Sequence, residues 1–367
     1  MTITTIIETT LALLALLLFA ATAIPWLNLR YWWVRGFDFP RMQLAILAAV
    51  TLLALLTTLP WGVWGWVGAV AALIVIGVQG GSIYHWTPLA RCHVVDADGE
   101  DASRQFSLLV ANVLTSNRQS ASLMRQIRET DPDIVLTLES DAWWQERLDE
   151  TLDESHPYAT RIPLDNLYGM HLYSRLPVHA PQIEWLIQDD IPSIHGWFEL
   201  PSGDRVRFHA VHPRPPAPGE SDESLWRDAE LLLVGQTIRD SGLPTLVAGD
   251  LNDVAWSKTT RLFCRISGML DPRRGRGLYS TFHAEYRWLR WPLDHVFVSE
   301  HFTLVALQRL SAFGSDHFPI LATFRYHPAR ADENDSPEAD REERQDAEET
   351  IEEAHERRGE APVKHDD

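Results

Sequence analysis

Lysine is nearly absent from this chain. Of its 32 basic residues only Lys258 and Lys364 are lysine, so any phosphate grip falls to arginine, whose planar fork suits bidentate contacts. Two cysteines, Cys92 and Cys264, exclude a disulfide framework and a cysteine-rich zinc set. Positive charge is scarce as well: 51 acids against 32 bases leave a net charge of −19, which disfavours non-specific capture of nucleic acid. No stable nucleic-acid partner is therefore expected. The deficit is uneven, since residues 331–367 carry 16 acids and 5 bases and lack Phe, Trp and Tyr altogether. With little to bury, that segment reads as an acidic disordered tail.

Two stretches lack charge entirely. None appears between Glu8 and Arg30, nor from Met42 to Ala90, a run of 49 residues that has room for two spans broken at Pro60 and Gly62. Trp61, Trp64 and Trp66 suit an interface beside that break. Ala21-Thr22-Ala23 offers a cleavage pattern, but the basic segment that precedes one in a signal peptide is missing. Residues 1–84 are thus expected to form a transmembrane region of about three helices, making the protein a multi-pass cell-membrane protein. Arg30, Arg35 and Arg41 in the first connection place that loop, and with three spans the C-terminal domain, in the cytoplasm.

From Gln105 short apolar runs alternate with amphipathic stretches. Strands are expected over 106–113, 133–138, 169–174, 195–200, 206–211, 244–248, 292–298 and 319–324, with helices over 121–129 and 224–238. Many strands and few helices suggest two sheets packed face to face with helices outside.

Several strand ends carry polar residues. Asp250 and Asn252 follow the apolar run Leu246-Val247-Ala248, and a carboxylate and an amide so placed can hold a water and a phosphate oxygen together. Asp294 and Asp316-His317 stand near the starts of later strands, Glu139 follows 133–138, Asn112 lies near the end of 106–113, and His212 follows Val211. His209 lies three positions before His212, so on a regular strand the two face opposite sides, and periodicity alone does not choose between them.

These stretches, in this order, resemble the endonuclease/exonuclease/phosphatase superfamily. The matching residues are 110–113, 133–139, 169–177, 211–213, Gly249–Asn252, 293–295 and 315–319. The resemblance implies an α/β fold, a four-layer, two-sheet, DNase I-like sandwich over residues 100–328, and Mg²⁺-dependent phosphoester hydrolysis, with Mn²⁺ as a substitute ion. It implies Glu139, Asn112 and Asp316 at the metal, Asp250 and Asn252 orienting water and phosphate, and His317 on the phosphate with Asp294 behind it. It also favours His212 as the second phosphate-facing histidine.

Two departures bear on substrate. Leu114 stands where nuclease branches commonly carry an acid, and a second amide, Asn117, follows. The basic loop with Arg273, Arg274 and Arg276 falls between the catalytic halves, where a polyanionic headgroup would be gripped. These traits are similar to a membrane-anchored branch acting on lipid-linked pyrophosphate, a branch whose catalytic domain faces outward, against the arginine count. The side of the membrane is left open. The expected function is a membrane-anchored phosphoesterase acting on a phosphate or pyrophosphate ester, with a lipid-linked substrate as the leading candidate; the alternatives are a membrane-bound nuclease and a non-catalytic tethered binding module.

Overall fold

The structure is a computed structural model and describes residues 2–362. Four helices come first: α1 (Ile3–Ala23), the short α2 (Trp32–Arg35), α3 (Arg41–Leu56) and α4 (Val63–Ile83). With their 3-10 extensions, Ile3–Leu27 and Val63–Trp86 are long and apolar enough to cross a membrane. α3 is shorter, and joins the preceding segment Trp32–Asp38 only through a 64° bend. Of the three helices expected, two therefore have the length of a span, and the third reaches that length only if the bent pair is taken together.

Small residues let these helices close on one another. Ala12, Ala15, Ala48, Ala71 and Ala72 are buried at their contacts, and a Cβ at Gly68 would lie 2.9 Å from the Ala12 backbone. Polar contacts fix the direction of each helix. Gly62 donates to Glu8 at one end of the bundle; at the other, Gln79 reaches Thr22 at 2.9 Å and Arg41 reaches Gln79 at 3.2 Å. The arginine-bearing connection and the following domain share this second end. Trp26, Tyr31, Trp32, Trp33 and Tyr84 are exposed around it, while Trp64 and Trp66 are exposed at the first.

The domain beyond is built on two mixed sheets. The first has the order β10-β11-β1-β2-β4-β3, from β1 (Gln105–Asn112), β2 (Ile134–Leu138), β3 (Tyr158–Ile162), β4 (Met170–Ser174), β10 (Phe302–Arg309) and β11 (Ile320–Tyr326). The second has the order β5-β6-β7-β8-β9, from β5 (Val178–Glu184), β6 (Ser193–Glu199), β7 (Arg205–Ala210), β8 (Thr245–Asp250) and β9 (Asp294–Val298). Strand alternation assigns the faces. Phe106, Leu108 and Val110 of β1 meet Leu246 and Ala248 of β8 and Val296 and Val298 of β9 in the core between the sheets. Leu109 and Ala111 face outward onto α5 (Ser120–Thr130) and α6 (Ala142–Leu152), and Val247 and Phe297 onto α7 (Leu225–Ser241) and α8 (Lys258–Ser267). The result is the helix–sheet–sheet–helix sandwich that was expected.

The tail corrects the sequence reading. Residues 341–356 form α9 (Arg341–Glu356), opened by a capping box between Asp340 and Glu343. Ala347, Ile351 and Ala354 on one face of α9 are buried against α7 and α8, with Glu353 paired to Arg30. A few small apolar residues at helical spacing suffice to dock it, and the acidic face stays in water. Residues 363–367 of the expected tail lie outside the described residues.

Candidate active site

Register brings the polar strand ends together. β1 and β2 run parallel with Asn112 opposite Leu138, so Asn112 and Glu139 leave the same rim side by side. β8 and β9 pair antiparallel with Asp250 opposite Asp294. Asn112, Asp250 and Asp294 share the alternation phase of the inter-sheet core residues, so all three point into the gap where the sheets meet. Asn112 spans it, donating to Glu139 Oε1 at 2.7 Å and to Asp250 Oδ2 at 3.1 Å.

The backbone at these ends is unusual for a physical reason. Gly249 has φ 148°, and a Cβ there would stand 1.8 Å from the Val211 carbonyl oxygen. Only glycine lets β8 approach Val211 so closely. Asn252 has φ 51°; its N–H donates to Asp250 Oδ1 at 2.9 Å and its amide to the Pro213 carbonyl at 3.0 Å. The Asp250 carboxylate is thereby aimed before any ligand arrives.

His317 closes the site. Its Nδ1–H donates to Asp294 Oδ2 at 2.7 Å, and its Nε2 stands 3.6 Å from Asp250 Oδ2. Burial alone would lower the His317 pKa, but the Asp294 and Asp250 carboxylates outweigh it and hold the value up at about 10. The two carboxylates thus favour the protonated form of the ring. Burial, with Asp294 beside it, raises the pKa of Asp250. Burial also raises Glu139 to about 7, against the lowering effect of the Asn112 hydrogen bond. His212 goes the other way: burial takes it down to about 4, so a neutral imidazole faces the site. Its Nδ1 is buried without a hydrogen-bond partner, and its ring lies 5.3 Å from that of Tyr168.

The structure thus gathers Asn112, Glu139, His212, Asp250, Asn252, Asp294 and His317. Asp316 is half-exposed beside them, close enough for its charge to act on Glu139 and His317. The two candidate histidines face opposite ways. His209 points to the helix side of its sheet, where its Nδ1 meets His195 Nδ1 at 2.6 Å. Asp250, Asp294 and His317 form a buried cluster whose ligand atoms lie within 4.8 Å of one another, close enough to hold a metal ion.

Four expected substrate contacts are corrected. Arg273 is 1% exposed and spends its donors on Asp271, the Asp294 carbonyl and His295, so it braces β9 from behind. Arg276 is tied to Asp96 at 2.5 Å and to the Val94 carbonyl. Arg274 lies 5.9 Å over the Trp86 ring, in a separate cleft with His93. Asn117 is buried and bonds to the Val113 carbonyl and the Gln119 N–H, holding its own loop. A run of arginines signals charge, but the local acids Asp271 and Asp96 had already claimed two of them.

Supporting residues were missed. Thr281 Oγ1 accepts from the N–H groups of Leu293 and Asp294. Ser315 Oγ donates to the Asn112 carbonyl at 2.8 Å and accepts from the His317 N–H at 3.0 Å, joining β1 to the last motif. Tyr168, directly before Gly169, donates to Glu220 at 2.8 Å and backs His212. Their neighbours in sequence were visible, but their partners lie across the sheets.

The family described as Endonuclease/Exonuclease/phosphatase family matches residues 109–317, from β1 to the closing histidine. The chain belongs to this family. Among solved structures, an endonuclease/exonuclease/phosphatase from Beutenbergia cavernae DSM 12333 is 17% identical and superposes with a TM-score of 0.50, covering 61% of this chain and 72% of its own. A humanized D. rerio TDP2 is 16% identical, with a TM-score of 0.49 over 61% of this chain and 100% of that one. Sphingomyelinase C from Streptomyces griseocarneus is 17% identical, with a TM-score of 0.44 over 60% of this chain and 99% of that one. No curated protein matches the chain. Membership supports phosphoester hydrolysis as the general reaction of this site.

Proposed function

We propose that this chain is a membrane-anchored, Mg²⁺-dependent phosphoesterase that cleaves a phosphate or pyrophosphate ester carried by a lipid. One observation carries the chemistry: Asp250 faces His317, itself held by Asp294, across 3.6 Å in a buried gap. Asp250 is placed to take the proton of an attacking water. The His317 Nε2–H and the free amide N–H of Asn252 are placed to donate to phosphoryl oxygens as charge grows on them. Neutral His212 offers one further donor or acceptor on the leaving-group side.

The residues also fit a cation. Glu139 Oε2 is shielded from solvent without a hydrogen-bond partner, in a set of oxygen donors that suits a hard ion such as Mg²⁺. Glu139, Asn112 and Asp316 would hold it, and when bound it would neutralise charge on the phosphoryl group. In the Asp250–Asp294–His317 cluster, by contrast, the His317 Nδ1 is already committed to Asp294. We read that cluster as proton-handling and the Glu139 side as the metal side.

Location supports the lipid. Directly after the catalytic loop, Val254, Ala255 and Trp256 pack with Phe39, Ile83 and Trp86 at the base of the helices, and Trp256 donates to the Asp38 carbonyl at 2.7 Å. A substrate held in the bilayer would need to travel little. The test is phosphate release by the detergent-solubilised protein from a polyprenyl pyrophosphate, a phospholipid and DNA in parallel. Release from lipid, lost with chelator and reduced at least ~10²-fold in Asp250→Ala and His317→Ala, is the expected result. DNA cleavage without lipid turnover would replace this reading by a membrane-bound nuclease.

A further inference from the structure

The loop over residues 283–290 is exposed in a way the catalytic chemistry does not require. Tyr286, Trp288 and Leu289 are 58%, 70% and 47% exposed, with exposed Arg287 among them. Gln43, in the first turn of α3, donates to the Trp288 carbonyl at 2.5 Å. The loop therefore stands at the domain-side end of the helical bundle, the end ringed by exposed aromatic residues.

Beside it opens a cleft of about 590 Å³ lined by Met42, Arg276, Tyr279, Arg287, Arg290 and Arg309. The guanidinium groups of Arg290 and Arg309 lie 4.9 Å and 4.4 Å from the centroid of one ring, Phe318. Arg290 donates to the carbonyls of His283 and Ala284, and Arg309 to that of Ser280. Neither they nor Arg287 has a carboxylate partner among the described residues. Burial, and then the charge of Arg290, lower the pKa of Arg309, and an anion seated between the two guanidinium groups would relieve both effects.

We propose that this cleft binds the phosphate of an anionic phospholipid while Tyr286, Trp288 and Leu289 enter the headgroup region. Aromatic and aliphatic side chains next to arginine are the composition of an interfacial anchor. The inference rests on reading α1 and α4 as membrane spans. Its consequence reaches the active site, because the residue directly before the loop is Phe282, whose ring lies 5.0 Å from that of His317. Seating the loop on lipid fixes one wall of the catalytic gap against the bilayer.

The experiment uses the full chain with Cys92→Ser, Cys264→Ala and Trp288→Cys, labelled with bimane and placed in nanodiscs of phosphatidylcholine with or without phosphatidylglycerol. Headgroup nitroxide lipids should quench the bimane strongly and aqueous iodide weakly, more so with phosphatidylglycerol. Combined Arg287→Gln, Arg290→Gln and Arg309→Gln should abolish the phosphatidylglycerol preference while the protein still unfolds in one cooperative thermal transition. Iodide quenching without lipid quenching overturns the proposal, as does a preference that survives the triple substitution. Carbonate extraction of native membranes separates the two readings: release of the protein overturns the spans themselves, whereas retention with a water-exposed loop overturns the loop alone.

Discussion

Asp294→Asn is the most informative single change. The substitution keeps an oxygen for His317 Nδ1–H but removes the charge that contributes most to holding the imidazolium. His317 stands at about 10 instead of 6.5, and at 1.36 kcal/mol per unit this is roughly 5 kcal/mol of preference for the protonated ring. Because the folded-state value is raised, the stabilisation is fully present below pH 6.5 and is lost as the pH rises toward 10. In the variant burial still lowers the value while Asp250, and more weakly Asp316, are left to oppose it, so the His317 pKa should fall. Two readouts follow. Thermal unfolding should show the variant well below wild type at pH 6, with the gap closing toward pH 10. The alkaline limb of kcat/KM should move down into the neutral range, since an imidazolium is needed to donate to the phosphoryl oxygens. A gap in Tm that stays constant across this pH range would refute the charge assignment.

Three further outcomes are expected. Gly249→Ala, whose Cβ would meet the Val211 carbonyl at 1.8 Å, should cost more than about 3 kcal/mol or prevent folding, read as lost expression or a collapsed Tm. Glu230, on α7, is 2% exposed with Oε1 unpaired, and burial raises its pKa to about 8. A raised carboxylate destabilises the fold progressively as the pH climbs from 4.5 through 8, so Glu230→Met should raise Tm, and more at pH 8 than at pH 5. Ala354→Asp on α9 puts a charge into a fully buried contact with α7 and should speed amide exchange along both helices; unchanged exchange would mean that the tail packs only loosely.

The fold was legible where the period was strong. The runs that became β1, β2, β8 and β9 are short and apolar on both faces, because helices cover one side and the second sheet the other. β3, β5 and β10 were not anticipated: they are edge strands with partly exposed patterns, and such strands look like loops in sequence. α8 also escaped, its polar composition hiding a buried stripe of Leu262, Phe263 and Ile266. Within the site, residues at strand ends were readable because strand ends recur as positions for chemistry. What could not be read was the fate of Arg273, Arg276 and Asn117. A polar side chain is free for a ligand only if no nearer partner takes it, and the acids and carbonyls that took these became neighbours only on folding.

The site is a property of the contact between the sheets rather than of either sheet. Sheet one supplies Asn112 and Glu139, sheet two supplies Asp250 and Asp294, and the Asn112–Asp250 hydrogen bond of 3.1 Å bridges these catalytic ends directly. His317 crosses in the same way: Ser315 ties its backbone to Asn112 in sheet one, and its Nδ1–H reaches the Asp294 carboxylate in sheet two. The large inter-sheet core behind these bonds fixes the gap, since a packed interior does not deform continuously. It follows that truncating Phe198 or Phe208, stacked 4.2 Å apart in that core and far along the chain from His317, should loosen the Asp250–His317 spacing as well as lower stability. Activity should therefore fall by more than the loss of folded protein explains.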